Sequence, residues 1–174
     1  DILLCPLYGD LSSVEQDKAI QTTPNGWRKV VLATNVAESS LTIEGITIVV
    51  DSGYQRSANF NPKTGVSKLS LTRISQSSAK QRSGRAGRVR EGVAYRLWSR
   101  IEDSTRLAHL PAEITQVDLC GVALEVAAWG TPLAQLLFLD ALPEKSLRVA
   151  TETLTMLHLL NSDGHITPLG KAVL

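Results

Sequence analysis

Two short apolar runs constrain the fold of this chain more than anything else in it. Lys29-Val30-Val31-Leu32-Ala33 stops at the polar pair Thr34-Asn35, and Ile46-Thr47-Ile48-Val49-Val50 stops at Asp51-Ser52-Gly53. Each run is β-branched, too short for a buried helix and closed by polar residues. That is the pattern of a parallel strand buried on both faces, with a working loop at its C-terminal end. Ile2 to Leu7 reads as a further strand, and Ser12 followed by Glu15 predicts a capping box that opens a helix running through Ile20. Strands alternating with helical segments predict an α/β sheet.

The segment Gln81-Arg82-Ser83-Gly84-Arg85-Ala86-Gly87-Arg88 cannot belong to a core, because arginine is almost never buried without an anionic partner. If it is helical, Gln81, Arg85 and Arg88 fall at i, i+4 and i+7 and share one face. Like charges repel there, and a docked polyanion turns that penalty into attraction. Guanidinium forks grip phosphate oxygens bidentately, and the segment uses arginine at every basic position. A phosphate-binding element is the inference; the plain alternative is a solvated basic helix face with incidental glycines.

The charge distribution supports the first. Net charge is only +1, yet half of the 18 basic residues lie between Arg73 and Arg106: Arg73, Lys80, Arg82, Arg85, Arg88, Arg90, Arg96, Arg100 and Arg106. After Arg106 the chain is acidic on balance, which suggests two domains, the first of them facing phosphate. A hydrophobic content of 43% is enough for a core, and no apolar run approaches membrane-span length. The start lacks both a methionine and a signal-peptide pattern, which reads as an excised piece of a longer chain. Cys5 and Cys120 lack metal-ligand spacing and read as small buried hydrophobes in a reducing cytoplasm; no metal ligands are expected.

Between the second apolar run and the arginine segment, Asn61-Pro62-Lys63-Thr64-Gly65 supplies turn chemistry for a projecting β-hairpin over residues 56 to 73. It is either a surface excursion or a guide for a nucleic acid strand. Gly92 to Trp98 reads as a closing strand. Beyond a compositional shift near 107 to 112, Glu113 to Trp129 and Glu144 to Leu160 read as helices. Ile114, Val117, Leu124 and Ala128 line the first, and Leu147, Ala150, Leu154, Leu157 and Leu160 line the second. Asn161-Ser162-Asp163-Gly164 ends the second helix, and His165-Ile166-Thr167 follows as a short strand or wing.

These residues resemble the DEAH/RHA group of superfamily 2 RNA helicases. Gln81 to Arg88 looks like motif VI, and Ala33-Thr34-Asn35-Val36-Ala37-Glu38-Ser39-Ser40-Leu41-Thr42-Ile43 looks like motif V. Leu7-Tyr8-Gly9, the intervening hairpin and the following segment match as well. Within the group the bacterial HrpB type is the most similar.

The resemblance implies a RecA-like domain, the second of a pair, over residues 1 to 106, and a partial winged-helix domain over 107 to 174. ATP with Mg2+ would lie between two RecA-like domains and be held mainly by the first, whose P-loop and DExH box this chain lacks. The piece alone is therefore expected to be inactive. By resemblance Arg85 and Arg88 are arginine fingers, and Gln81 positions the attacking water or the γ-phosphate. Thr34 and Asn35 match contacts to the backbone of single-stranded RNA, or of DNA. Ser40 and Thr42 match positions coupled to nucleotide. Ile20 stands where an aromatic commonly stacks on adenine, and Glu44 where an aspartate commonly meets the ribose. Arg82 is read as structural or interdomain. Two other classes stay open: a non-enzymatic nucleic-acid-binding module with a winged helix, and a protein-interaction fragment.

Overall fold

A computed structural model of the chain describes residues 1–39, 41–88 and 90–174. By internal contacts it divides into two compact units, Asp1–Arg56 with Leu71–Leu110, and Ser57–Ser70 with Pro111–Leu174.

The first unit is the α/β part. Strand β1 (Ile2–Leu7) alternates, with Cys5 and Leu7 buried and Ile2 and Leu4 exposed. Helix α1 (Ser13–Ile20) opens on the expected capping box: the Ser12 side chain accepts from the Glu15 amide, and the Glu15 carboxylate accepts from the Ser12 amide. At its other end Lys29 Nζ donates to the carbonyls of Ala19 and Gln21, satisfying orphan acceptors of the last turn. Strand β2 (Arg28–Ala33) pairs in parallel with β1, Leu4 opposite Val30 and Cys5 opposite Val31. The one-turn helix α2 (Val36–Ser39) follows. Ala19, Val36 and Ala37 pack with Cys5, Leu7 and Val31, so α1 and α2 cover one face of this pair.

Strand β3 (Ile48–Asp51) starts two residues later than the apolar run suggests. Then come β4 (Tyr54–Asn61), β5 (Val66–Arg73), α3 (Gln76–Ser83), β6 (Val93–Arg96) and α4 (Arg100–Ser104). Strand β3 pairs in parallel with β6, Ile48 opposite Val93 and Val50 opposite Tyr95.

The expectation of strands buried on both faces is wrong for the described residues. Val30, Leu32, Ile48 and Val50 are all exposed, as are Leu4, Val93 and Tyr95 beside them. The reason is coverage: the packing contacts of the described helices lie on the Cys5, Leu7 and Val31 side of one pair and the Asp51 side of the other.

Strands β4 and β5 form the expected hairpin, closed by Asn61, whose side chain accepts from the Lys63 amide, and by Gly65 at φ +65°. Its root is clamped by Arg106, a residue grouped above with a phosphate-facing surface and in fact only 8% exposed. Arg106 Nη1 donates to the carbonyls of Gly53 (2.9 Å) and Ile74 (3.1 Å), the residues just outside the two strands. Its guanidinium lies 4.3 Å from the Trp98 ring centroid, and the Trp98 indole donates to Asp103. Gly53 has to be glycine here. Its φ is +79°, and a Cβ would lie 2.5 Å from Arg106 Nη2.

In the second unit the distal part of the hairpin joins the chain after Pro111, and the Phe60 amide donates to the Gln116 carbonyl at 2.8 Å. The first expected helix is shorter than its apolar pattern: Glu113–Thr115 is a single 3-10 turn, and α5 (Cys120–Trp129) begins only after Asp118 caps the Cys120 amide. Helix α6 (Glu144–Met156) packs on it through Ala123, Leu124, Leu154 and Leu160, with Leu147 and Ile166 alongside. Leu157 does not join this core. The helix ends at Met156, and His158 takes φ +58°, which reverses the chain and leaves Leu157 exposed. Leu160 and Ile166 form an antiparallel bridge across the Asn161–Gly164 turn, and α7 (Pro168–Val173) is capped by Thr167.

Candidate functional site

The arginine segment is built on α3. Ser75 caps the helix by accepting from the Ser78 amide, and Ile74, Ser78 and Ala79 are buried beneath it. The helix ends at Ser83, with Gly84 as its cap, so Arg85 and Arg88 lie past it rather than on it. This corrects the single helical face. The chain continues instead in tight turns, the Arg85 amide donating to the Arg82 carbonyl and the Ala86 amide to the Ser83 carbonyl. Two glycines in four residues weaken the helix, and cations are favoured beyond a carbonyl-rich helix end.

Even so, Lys80, Gln81, Arg85 and Arg88 line one open depression of about 480 Å³, together with Glu38 and Gly84. Arg85 reaches back to the end of α2: its Nε donates to the Glu38 carbonyl at 3.1 Å, its Nη2 donates to the same oxygen, and its Nη1 donates to the Leu41 carbonyl at 2.6 Å. Burial first, and then the Arg88 charge, push its guanidinium below its ordinary pKa, while Glu38 opposes them. Arg88 Nη1 donates to the Thr42 hydroxyl at 2.5 Å. Among the described residues neither Lys80 Nζ nor the Gln81 amide has a hydrogen-bond or ion-pair partner.

Arg82 points elsewhere. Its Nε pairs with Glu38 at 2.9 Å, and its Nη1 pairs with Asp51 at 3.1 Å and donates to the Tyr54 carbonyl. The expected motif V and motif VI residues therefore meet through three arginines: one on carboxylates, one on carbonyls and one on a hydroxyl.

Thr34 and Asn35 are exposed at the C-terminal end of β2, where open parallel sheets present their binding loops. The Thr34 amide donates to the Leu7 carbonyl, and the Asn35 carbonyl accepts from the Glu38 amide, so this loop is tied to both β1 and α2. Ile20 and Glu44 are brought together, the Glu44 amide donating to the Ile20 carbonyl at 3.2 Å. Ser40 lies outside the described residues. Sequence reasoning gave no role to Glu38 or Lys80. The signal for Glu38 was an acidic residue within an otherwise uncharged loop, in a chain whose arginines need anions.

A family model described as "Helicase conserved C-terminal domain" matches residues 1–90. The chain belongs to that family. Its relatives include the ATP-dependent RNA helicase HrpB of Escherichia coli, 47% identical over 164 residues, covering 94% of this chain and 20% of that protein. The pre-mRNA-splicing factor ATP-dependent RNA helicase prp22 of Schizosaccharomyces pombe is 40% identical over 175 residues, covering 98% and 15%. Among solved structures, the Escherichia coli DEAH/RHA helicase HrpB superposes with a TM-score of 0.92 at 45% identity, over 98% of this chain and 22% of that one. The chain thus matches HrpB-type DEAH/RHA helicases in sequence and in fold, while spanning about a fifth of their length. Its RecA-like α/β part, with the small helical region beyond it, is the fold class read from the sequence. Among the described residues no helix is long and apolar enough to cross a membrane.

Proposed function

We propose that this chain is the second RecA-like half, residues 1 to 106, and a partial winged-helix domain, residues 107 to 174, of an ATP-dependent RNA helicase. The observation that carries the reading is the convergence of Gln81, Arg85 and Arg88, with Lys80, on one open depression. Among the described residues Lys80 Nζ and the Gln81 amide have no partner, which suits an incoming polyphosphate. By the same reading Mg2+ would be held mainly by the first RecA-like domain, together with the phosphates of ATP.

Bound between the two domains, ATP with Mg2+ supplies the phosphoryl group that is transferred to water. Arg85 and Arg88 face the charge that develops on the β and γ phosphates, a role worth about 10³ to 10⁵ in rate. To do so Arg85 leaves the carbonyls of Glu38 and Leu41, and Arg88 leaves Thr42. Gln81 orients water or the γ-phosphate. Ile20, Ser40, Thr42 and Glu44 face the rest of the nucleotide, Ile20 through aliphatic contact with the base. Thr34 and Asn35 hold the backbone of single-stranded RNA, or DNA, through contacts that carry no sequence information. The free Cys5 and Cys120 accord with a cytoplasmic protein.

The test is Arg85→Ala in the full-length protein. ATP turnover falls by at least 10³-fold while binding to single-stranded RNA stays measurable. Unchanged turnover refutes the reading and favours a nucleic-acid-binding module without ATP chemistry.

A further inference from the structure

The arginine that does not face the depression is the most heavily anchored of the three. Arg82 is 16% exposed and sits between two carboxylates, Glu38 (14%) on α2 and Asp51 (5%) at the end of β3. Asp51 is itself fixed, its Oδ1 also accepting from the Gly53 amide at 2.9 Å. One guanidinium thus ties three elements: its own helix α3, the α2 turn that follows Thr34 and Asn35, and the strand end that leads into the hairpin.

Glu38 has two separate jobs. Its carboxylate takes Arg82, and its carbonyl takes Arg85. The place from which Arg85 must depart is therefore set by the residue that Arg82 holds. Arg82 and Arg85 are separated by one helix end, the Arg85 amide donating to the Arg82 carbonyl at 3.1 Å. A shift of α3 against α2 moves the base of Arg85 directly.

From this we infer that Arg82, through Glu38 and Asp51, is a positioning residue for ATP hydrolysis: it fixes where Arg85 and Arg88 emerge and touches neither nucleotide nor nucleic acid. The inference rests on the function proposed above. Since misplacing a reacting group by about 1 Å costs roughly 10²-fold in rate, the effect falls on turnover rather than on nucleotide affinity.

The experiment uses the full-length protein, with ATP as substrate, uniform single-stranded RNA as stimulant and Arg85→Ala as reference. Arg82→Gln lowers kcat about 10-fold to 100-fold, with KM for ATP within about threefold of wild type. Because Arg82→Gln strands the buried Asp51 carboxylate and endangers folding, Glu38→Ala serves as the second variant and removes only one arm. It gives the same split between kcat and KM. Glu38→Gln, which still accepts from Arg82 Nε, recovers most of the turnover. The Arg82→Gln, Glu38→Ala double variant is no slower than the slower single one.

Turnover within twofold of wild type in both single variants, with Arg85→Ala inactive, overturns the positioning role and leaves the proposed function standing. A fall in kcat that follows the loss of folded protein, with no recovery in Glu38→Gln, also overturns it. An active Arg85→Ala removes the proposed function, and the positioning role with it.

Discussion

Arg106→Met tests whether the hairpin root is held from inside. The side chain is 8% exposed, and methionine keeps most of its apolar volume while removing the charged fork. Two hydrogen bonds from a cation to the carbonyls of Gly53 and Ile74 are lost, worth about 1.5–3 kcal/mol each. The stacking on Trp98 goes too, at roughly 0.5–2 kcal/mol. Against this, Arg106 Nε is buried without a partner, and burying a guanidinium carries a desolvation cost of several kcal/mol that the variant escapes. The Gly53 carbonyl also keeps its bond from the Ile74 amide. A net loss of about 2–4 kcal/mol follows, local to the root. At about 1.4 kcal/mol per tenfold, the Ile74 amide should exchange with solvent deuterium about 30-fold to 1000-fold faster. Hydrogen exchange on the full-length protein reads this without requiring two-state unfolding. Protection within threefold of wild type refutes the reasoning. Unchanged protection combined with weakened RNA binding would return Arg106 to the basic surface.

Four further outcomes follow from the geometry. Gly92→Ala puts a Cβ 2.0 Å from the Ala86 carbonyl oxygen and 2.6 Å from that of Thr47, so it destabilises the full-length protein by about 1–3 kcal/mol in chemical denaturation; a wild-type midpoint contradicts it. Ser12→Ala removes the α1 cap at a cost of about 1 kcal/mol. Hydrogen bonds from Ser12 hold the Glu15 carboxyl below its ordinary 4.5, so its support for the cap is complete above that pH and is lost as pH falls through the lowered value. The stability difference between wild type and Glu15→Gln should therefore shrink on acidification, and a difference that grows is the contrary result. Burial, then Asp118, push the Cys120 thiol up to about 11, so at pH 8 it reacts with iodoacetamide far more slowly than the same thiol in the unfolded chain. Equal rates, followed by mass spectrometry, would exclude that environment.

What the sequence revealed was what neighbours in sequence decide. Ser12 and Glu15 close their capping box within four residues, and Asn61 to Gly65 closes the hairpin within five, so local chemistry suffices. Arg82 was read as structural, but its partners, like the buried role of Arg106, were opaque for the opposite reason. Their partners stand 44 and 53 residues away, and no periodicity foretells which arginine in a basic stretch finds a carboxylate or a carbonyl inside the fold. The period of 3.6 also overran real helix ends: Leu157 keeps the stripe in sequence, but the turn at His158 takes it out of the core. At the candidate site, residue types pointed to phosphate, whereas the carbonyl seat of Arg85 depends on backbone geometry that side-chain identity does not encode.

The bare sides of the two strand pairs have a consequence for the life of the chain before it works. Leu4, Val30 and Leu32 on one pair, and Ile48, Val50, Val93 and Tyr95 on the other, hold apolar surface against water at a standing cost. During synthesis or after partial unfolding, these strands are ready ground for holdase chaperones and for clumping with their own kind. Residues 1–174 produced in isolation should brighten a hydrophobic dye and precipitate on warming, however well the arginines are set.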